Sequence, residues 1–189
     1  PFYRPESGQL LMDGIDLQQY DPTLLRKQIG YVPQDVSLFY GSLKDNIMSE
    51  DLHIDESDFW EVLTQCGLAK LVNGNANGVE QNVGERGSLL SGGQRQAVAM
   101  ARAIVRNPAI YIMDEPTSAM DSTNEAQMKE TIKVATSGKT LIINTHRTTL
   151  LDLVERVIVV ENGKVIADGK KEDVLVQFKQ PSQILKRAP

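Results

Sequence analysis

The residues with the clearest chemical potential lie between positions 90 and 121. Leu90-Ser91-Gly92-Gly93-Gln94-Arg95-Gln96 sets a hydroxyl and two residues without side chains where a helical pattern begins. Such a start suits an anion. Ser91 can cap the helix, Gly92 and Gly93 let a phosphate approach the backbone, and the unpaired N–H groups with the helix dipole favour negative charge. The helix is expected to run to about Arg106, apolar along Ala97, Val98, Ala101, Ile104 and Val105, and to stop at Asn107-Pro108. Residues 109–113 have no polar face, which predicts a parallel strand covered on both sides. It delivers Asp114-Glu115. Two adjacent carboxylates at a buried strand end are costly unless they serve a cation or a reacting water. Asp114 is therefore expected to hold Mg²⁺, directly or through water, and Glu115 to polarise an attacking water. Taken alone, the acidic pair is compatible with a solvated strand end and the glycines with an ordinary helix start. Their order and spacing together point to phosphate chemistry.

Several elements must position this stretch. Residues 8–12 and 15–17 read as strands around an Asp13-Gly14 turn. Asp21-Pro22 supplies an N-cap and a first-turn proline for a short helix over residues 23–28. Residues 29–32 return as a strand that Pro33 ends, so Gln34 follows a strand directly. Ser42 with Asp45 predicts a capping box. Residues 55–66 form an amphipathic helix with Phe59, Val62, Leu63 and Cys66 inward and Trp60 at its margin, and a helical turn over 68–72 precedes an exposed loop over 73–78. Val83-Gly84-Glu85-Arg86-Gly87 is a polar turn just ahead of Leu90. Beyond Asp121, a helix is expected over 125–136 and a second buried strand over 141–145, which delivers His146. A short helix over 150–154 leads to a hairpin whose Asn162-Gly163 is a type I′ signal. Two helical stretches, 172–178 and 183–186, close the sequence. His53 sits in a polar helix-entry stretch and has no chemical partner in its pattern.

The chain has 189 residues, enough for one domain with a sizeable core. Hydrophobic residues make up 41%, yet none form an uninterrupted run of membrane-spanning length. A net charge of −5 argues against non-specific nucleic-acid binding. The single cysteine, Cys66, cannot form an intrachain disulfide and reads as a small core hydrophobe. The 189 residues show no signal-peptide pattern, and Pro1 leads us to expect that the chain begins inside a longer reading frame.

These features together resemble the nucleotide-binding domain of ABC transporters. Residues 90–96 match the family signature, 110–115 its Walker B strand and Ser118-Ala119-Met120-Asp121 its D-loop, with Met for the more usual Leu. The resemblance implies an α/β fold: a P-loop NTPase-like ABC ATPase core with a mainly parallel sheet, small antiparallel strands and a helical subdomain over about residues 35–106. It implies ATP and Mg²⁺ as cofactors. Gln34 becomes the Q-loop glutamine whose amide oxygen reaches Mg²⁺ beside Asp114. His146 becomes the H-loop histidine that contacts the γ-phosphate and orients the water with Glu115. Ser91, Gly92, Gly93, Gln94, Asp114, Asp121 and His146 join Gln34 as nucleotide-binding residues. Residues 83–87 resemble the X-loop of exporters, and Gly30-Tyr31-Val32-Pro33-Gln34-Asp35 with the segment after Thr145 look most like bacterial type I secretion ATPases, which export RTX-type proteins or adhesins. The implied partners are a second nucleotide-binding domain in a homodimer, the exporter's transmembrane domain, a membrane-fusion protein and an outer-membrane channel, with no nucleic acid. The implied location is the cytoplasmic face of the inner membrane.

A Walker A string, Gly-x-x-x-x-Gly-Lys-Ser/Thr, does not occur in the 189 residues. Ser137-Gly138-Lys139-Thr140 comes nearest, but Lys133 stands at the first glycine position, and the string reads as a helix stop leading into a strand. The expectation is a single ABC ATPase domain over 1–189 without its Walker A part, and hence inactive by itself. A DNA-repair or chromosome-maintenance ATPase head would need long heptads between Gln34 and Ser91, and none are there. An inert interaction module is the remaining alternative, against which the intact downstream positions speak.

Overall fold

The computed structural model describes residues 5–48 and 54–177. β1 (Leu11–Met12) and β2 (Ile15–Asp16) form a two-residue antiparallel pair, shorter than the sequence pattern suggested. α1 (Pro22–Lys27) starts as expected, with the Asp21 carboxylate accepting from the N–H groups of Thr23 and Leu24. β3 (Ile29–Val32) follows, then α2 (Leu43–Ile47), whose capping box between Ser42 and Asp45 is complete. α3 (Glu56–Gln65) and α4 (Ala69–Asn73) continue the helical region, with Phe59, Leu63 and Cys66 buried as their periodicity demanded. His53 and residues 183–186 lie outside the described residues.

α5 (Gly92–Ile104) is the central helix. Nearly every residue from Gln96 to Ile104 is buried, so its environment is wider than the one apolar stripe read from the sequence. It ends at Ile104, short of Arg106, because Asn107 adopts φ 49° and turns the chain before Pro108. β4 (Ile110–Asp114) is followed by α6 (Ser122–Ala135), which begins three residues ahead of Glu125 because Asp121 caps it. β5 (Thr140–Asn144) completes a parallel sheet in the order β3-β4-β5. β6 (Arg156–Glu161) and β7 (Lys164–Lys170) form the expected hairpin; Asn162 and Gly163 both have positive φ, as a type I′ turn requires. α7 (Lys171–Gln177) packs against it.

Strands lying side by side in chain order and joined by crossovers of one hand bring both connections to one sheet face. The register agrees. Val32, Tyr111 and Met113 are buried on the face covered by α5, with Leu141 and Ile143 partly buried beside them. Tyr31, Ile112 and Ile142 are aligned on the other face, where Tyr31 and Ile142 are each 55% exposed. Two-sided coverage of β4 and β5 is thus corrected: among the described residues one face is covered and the other is open. An all-apolar strand reads identically in sequence whichever faces its neighbours cover. Asp114 and Asn144 are register partners at the end of the open face.

One apolar cluster runs from Val32 through Leu43, Leu63, Val98 and Met113 to Ile132, joining the helical region to the sheet through α5. Gly30 permits this contact. A Cβ there would lie 2.8 Å from Pro108 and 2.9 Å from the Ala103 carbonyl, so any larger residue would force α5 off β3. No helix among the described residues is long and apolar enough to cross a membrane.

Candidate active site

Asp114 and Glu115 end β4, but the backbone turns them to different environments. Glu115 adopts φ 44°, and its N–H donates to the Asn144 carbonyl at 2.9 Å, extending the ladder to β5 by one residue. The side chain is drawn inward, leaving the residue 7% exposed. A buried carboxylate needs donors, and the end of β5 supplies them. Oε1 accepts from the His146 backbone N–H at 2.7 Å and from its Nδ1–H at 2.6 Å, while Oε2 accepts from the Thr145 hydroxyl at 3.3 Å. With Nδ1 committed to the carboxylate, Nε2 is the nitrogen available to another molecule. The imidazole remains 61% exposed, so this carboxylate–histidine pair opens to solvent. The arrangement suits general base work on a water, with the histidine holding the carboxylate in one rotamer.

Asp114 stays on the open sheet face, where Oδ1 accepts from Asn144 Nδ2 at 2.8 Å. Asn144 went unnoticed in the sequence, where it reads simply as the last strand residue; only the β4–β5 register sets it beside the carboxylate. Among the described residues no group of three or more His, Cys, Asp or Glu side chains could cage a metal. Mg²⁺ does not call for such a cage, because it keeps several waters and takes one or two carboxylates plus substrate phosphates. Asp114 and the exposed amide of Gln34 are oxygen donors of the right kind. Gln34 borders a cleft of about 280 Å³ together with Asp35, Gly92, Arg95 and Ser118.

The turn before α5 is fully organised. Ser91 Oγ accepts from the Gln94 N–H at 3.2 Å, and Gln94 Oε1 accepts from the Ser91 N–H at 2.8 Å, so both side chains close a capping box. Gly92 and Gly93 precede the first backbone bond of the helix, from the Arg95 N–H to the Ser91 carbonyl, so their amides lack intrahelical partners, as in any helix. The glycines answer to packing as well as to phosphate access. A Cβ on Gly92 would sit 3.2 Å from the Ala119 Cβ, and one on Gly93 would sit 3.3 Å from the Ala119 carbonyl oxygen. A cavity of about 280 Å³ opens beside this turn, bordered by Ser91, Gly93, Gln94, Cys66, Lys70 and Asn124. Burial pushes the Cys66 thiol up to about 12, in keeping with a packing role.

Asp121 lines neither of these clefts. Its carboxylate caps α6, accepting from the Asn124 N–H at 2.9 Å and from Asn124 Nδ2 at 2.8 Å, and those donors hold it below the usual carboxylate range. Arg147, next to His146, is bound to Glu125 of α6 and donates to the Ser118 carbonyl at 3.2 Å; Thr149 also donates to Glu125. Glu125, Arg147 and Thr149 were given no role from sequence pattern, nor was Gln96, the last residue of the signature, whose buried amide reaches Glu115, Ser118 and Ala119. At residues 83–87, Glu85 and Arg86 are exposed, and Arg95 donates to the Leu90 carbonyl at 2.7 Å to close the turn ahead of Ser91. Ser137-Gly138-Lys139-Thr140 is the helix stop and strand start anticipated: Gly138 has φ 70°, Lys139 reaches back to Asn107, and Thr140 opens β5.

A mainly parallel α/β sheet that delivers a carboxylate pair and a histidine from neighbouring strands, beside a capped glycine-rich helix start, is the fold of ABC ATPase domains. The family model described as ABC transporter matches residues 1–118, and the chain belongs to that family. An uncharacterized ABC transporter ATP-binding protein of Bacillus subtilis (strain 168), YwjA, is 37% identical over 174 residues, covering 92% of this chain and 30% of that protein. The toxin RTX-I translocation ATP-binding protein of Actinobacillus pleuropneumoniae is 40% identical over 92% of this chain and 25% of its own length. A solved bacterial Atm1-family ABC exporter with ATP bound superposes with a TM-score of 0.90 at 31% identity, covering 98% of this chain and 33% of that one. The chain therefore spans about a quarter to a third of the proteins it is compared with.

Proposed function

We propose that this chain is the ATP-hydrolysing part of an ABC exporter, and that the exporter serves type I protein secretion. The observation that carries the reading is the double hydrogen bond from His146 to the Glu115 carboxylate, which makes one base from two strand ends. In this reading Glu115 takes a proton from a water as its oxygen bonds to the γ-phosphorus of ATP and the bond to the ADP oxygen breaks. His146 keeps the carboxylate oriented and turns Nε2 toward the transferred phosphoryl group. Asp114, with Gln34, would hold Mg²⁺, which when bound neutralises phosphate charge. Ser91, Gly92, Gly93 and Gln94 would close over nucleotide bound by a second copy in a head-to-tail dimer, with Asp121 near the seam.

The resemblance to an RTX-I toxin translocation protein supports a secretion role, which adds a transmembrane domain, a membrane-fusion protein and an outer-membrane channel as partners. Work at the cytoplasmic face of the inner membrane goes with that role. A chromosome-maintenance head is disfavoured, since no described helix exceeds the 14 residues of α6. In the full-length protein, Glu115→Gln should retain ATP binding and lower turnover by about 100-fold or more. A mutant that kept most of its steady-state ATPase rate would remove Glu115 from the proposed chemistry.

A further inference from the structure

Gln96 is a polar side chain in the most deeply buried helix of the chain, 2% exposed, and it leaves no part of its amide unpaired. Nε2 donates to the Glu115 carbonyl at 3.1 Å and to the Ser118 hydroxyl at 2.8 Å, and Oε1 accepts from the Ala119 N–H at 2.9 Å. The orientation of the amide is forced. A carbonyl can only accept and a backbone N–H can only donate, so a flipped amide would oppose like groups at both ends. Burying such a group is costly unless the bonds are all made, and an apolar residue would fill the site more simply.

The placement of these bonds points to a purpose. Glu115 is held at φ 44°, a conformation that a non-glycine residue keeps only when its surroundings determine it. Its N–H is fixed by the Asn144 carbonyl; its carbonyl is fixed by the Ser118 N–H and by Gln96. The same Gln96 amide grips the loop at Ser118 and Ala119, against which Gly92 and Gly93 are packed, while Arg147 holds the Ser118 carbonyl from the other side. The first turn of α5, through the loop at Ser118 and Ala119, and the backbone of Glu115 thus meet at one side chain.

We propose that Gln96 is a positioning residue for hydrolysis: it sets the backbone of Glu115 and couples it to the first turns of α5, so that displacement of the Ser91 turn reaches the carboxylate of the same chain. This rests on the hydrolytic reading above. The test compares wild type, Glu115→Gln, Gln96→Glu, Gln96→Met, Ser118→Ala and the Gln96→Met/Ser118→Ala pair in the full-length protein, measuring kcat, the KM for Mg-ATP and Tm. Gln96→Glu keeps size and the acceptor for Ala119 but turns a carboxylate oxygen toward the Glu115 carbonyl. Both Gln96 variants should lose about tenfold or more in kcat with KM within about threefold. Adding Ser118→Ala to Gln96→Met should cost little further, because the bond it removes is already broken. Inactive Glu115→Gln alongside Gln96 variants of near-normal kcat would overturn the coupling and leave the hydrolytic reading standing. So would a loss confined to KM, or a kcat loss that follows a fall in Tm and returns on cooling, which is what a purely structural role gives. Wild type without ATPase activity, or Glu115→Gln with full turnover, would overturn both.

Discussion

The carboxylate of Glu115 accepts from the backbone N–H and the Nδ1–H of His146, so a side chain that a strand end alone would leave free to rotate has one direction. Beside it, the Asp114 carboxylate is oriented by a neutral amide, that of Asn144. The two acids differ accordingly: one is shielded and fixed by His146, as the proposed proton transfer requires, and the other lies on the open sheet face. Outer partners of a metal-binding carboxylate commonly change metal affinity by tenfold or more when removed. Asn144→Ala should therefore raise the Mg²⁺ concentration that supports half-maximal ATPase rate by about tenfold, with a smaller change in rate at saturating Mg²⁺. A Mg²⁺ titration of the full-length variant reads this directly, and an unchanged midpoint would remove Asn144 from the site.

Four of the described helices begin at a side chain that accepts from their first amides: Asp21 for α1, Ser42 for α2, Ser91 for α5 and Asp121 for α6. The start of α5 matters most, because its Ser91–Gln94 box fixes the amides that face the neighbouring clefts. At α1 the cap depends on charge. Backbone N–H groups of Leu24 and Thr23 lower the Asp21 carboxyl below its ordinary 3.8. A group whose folded value is depressed contributes stability above the unfolded value and loses it as pH falls through the folded one. The Asp21 cap should therefore be intact at neutral pH and release only below 3.8, seen as upfield movement of the Thr23 and Leu24 amide proton resonances. Asp21→Asn should leave those resonances insensitive to acid over the same range.

Across the whole molecule, α5 holds the helical region and the parallel sheet on one apolar cluster, while the opposite sheet face presents Tyr31 and Ile142. The 189 residues contain no Gly-x-x-x-x-Gly-Lys-Ser/Thr loop to cradle β- and γ-phosphates. Charge-assisted hydrogen bonds of that kind contribute about 1.5–3 kcal/mol each, so roughly four of them amount to about 6–12 kcal/mol. A micromolar complex is worth only about 8 kcal/mol in all. Calorimetric titration of Mg-ATP into the 189-residue chain should accordingly show no micromolar binding. Binding in that range would reveal a phosphate site other than the residues named here.

Sequence by itself determined whatever depends on bonds between near neighbours. The Ser42 and Ser91 boxes, the Asp21 cap and the Asn162-Gly163 turn are each closed within about four residues, so the pattern of residue types specifies the geometry. The hydrophobic runs likewise marked β3, β4 and β5, and the strand ends located Asp114, Glu115 and His146. Tertiary structure alone decided which strand face is covered, that Asn144 meets Asp114, that His146 grips Glu115, and that Gln96 reaches the loop at Ser118. These outcomes rest on sheet register and on the close approach of α5 to the strands, which join residues far apart in the chain. An apolar strand with one open face, or a glutamine within a helix, has the same local pattern whichever neighbour it finally meets.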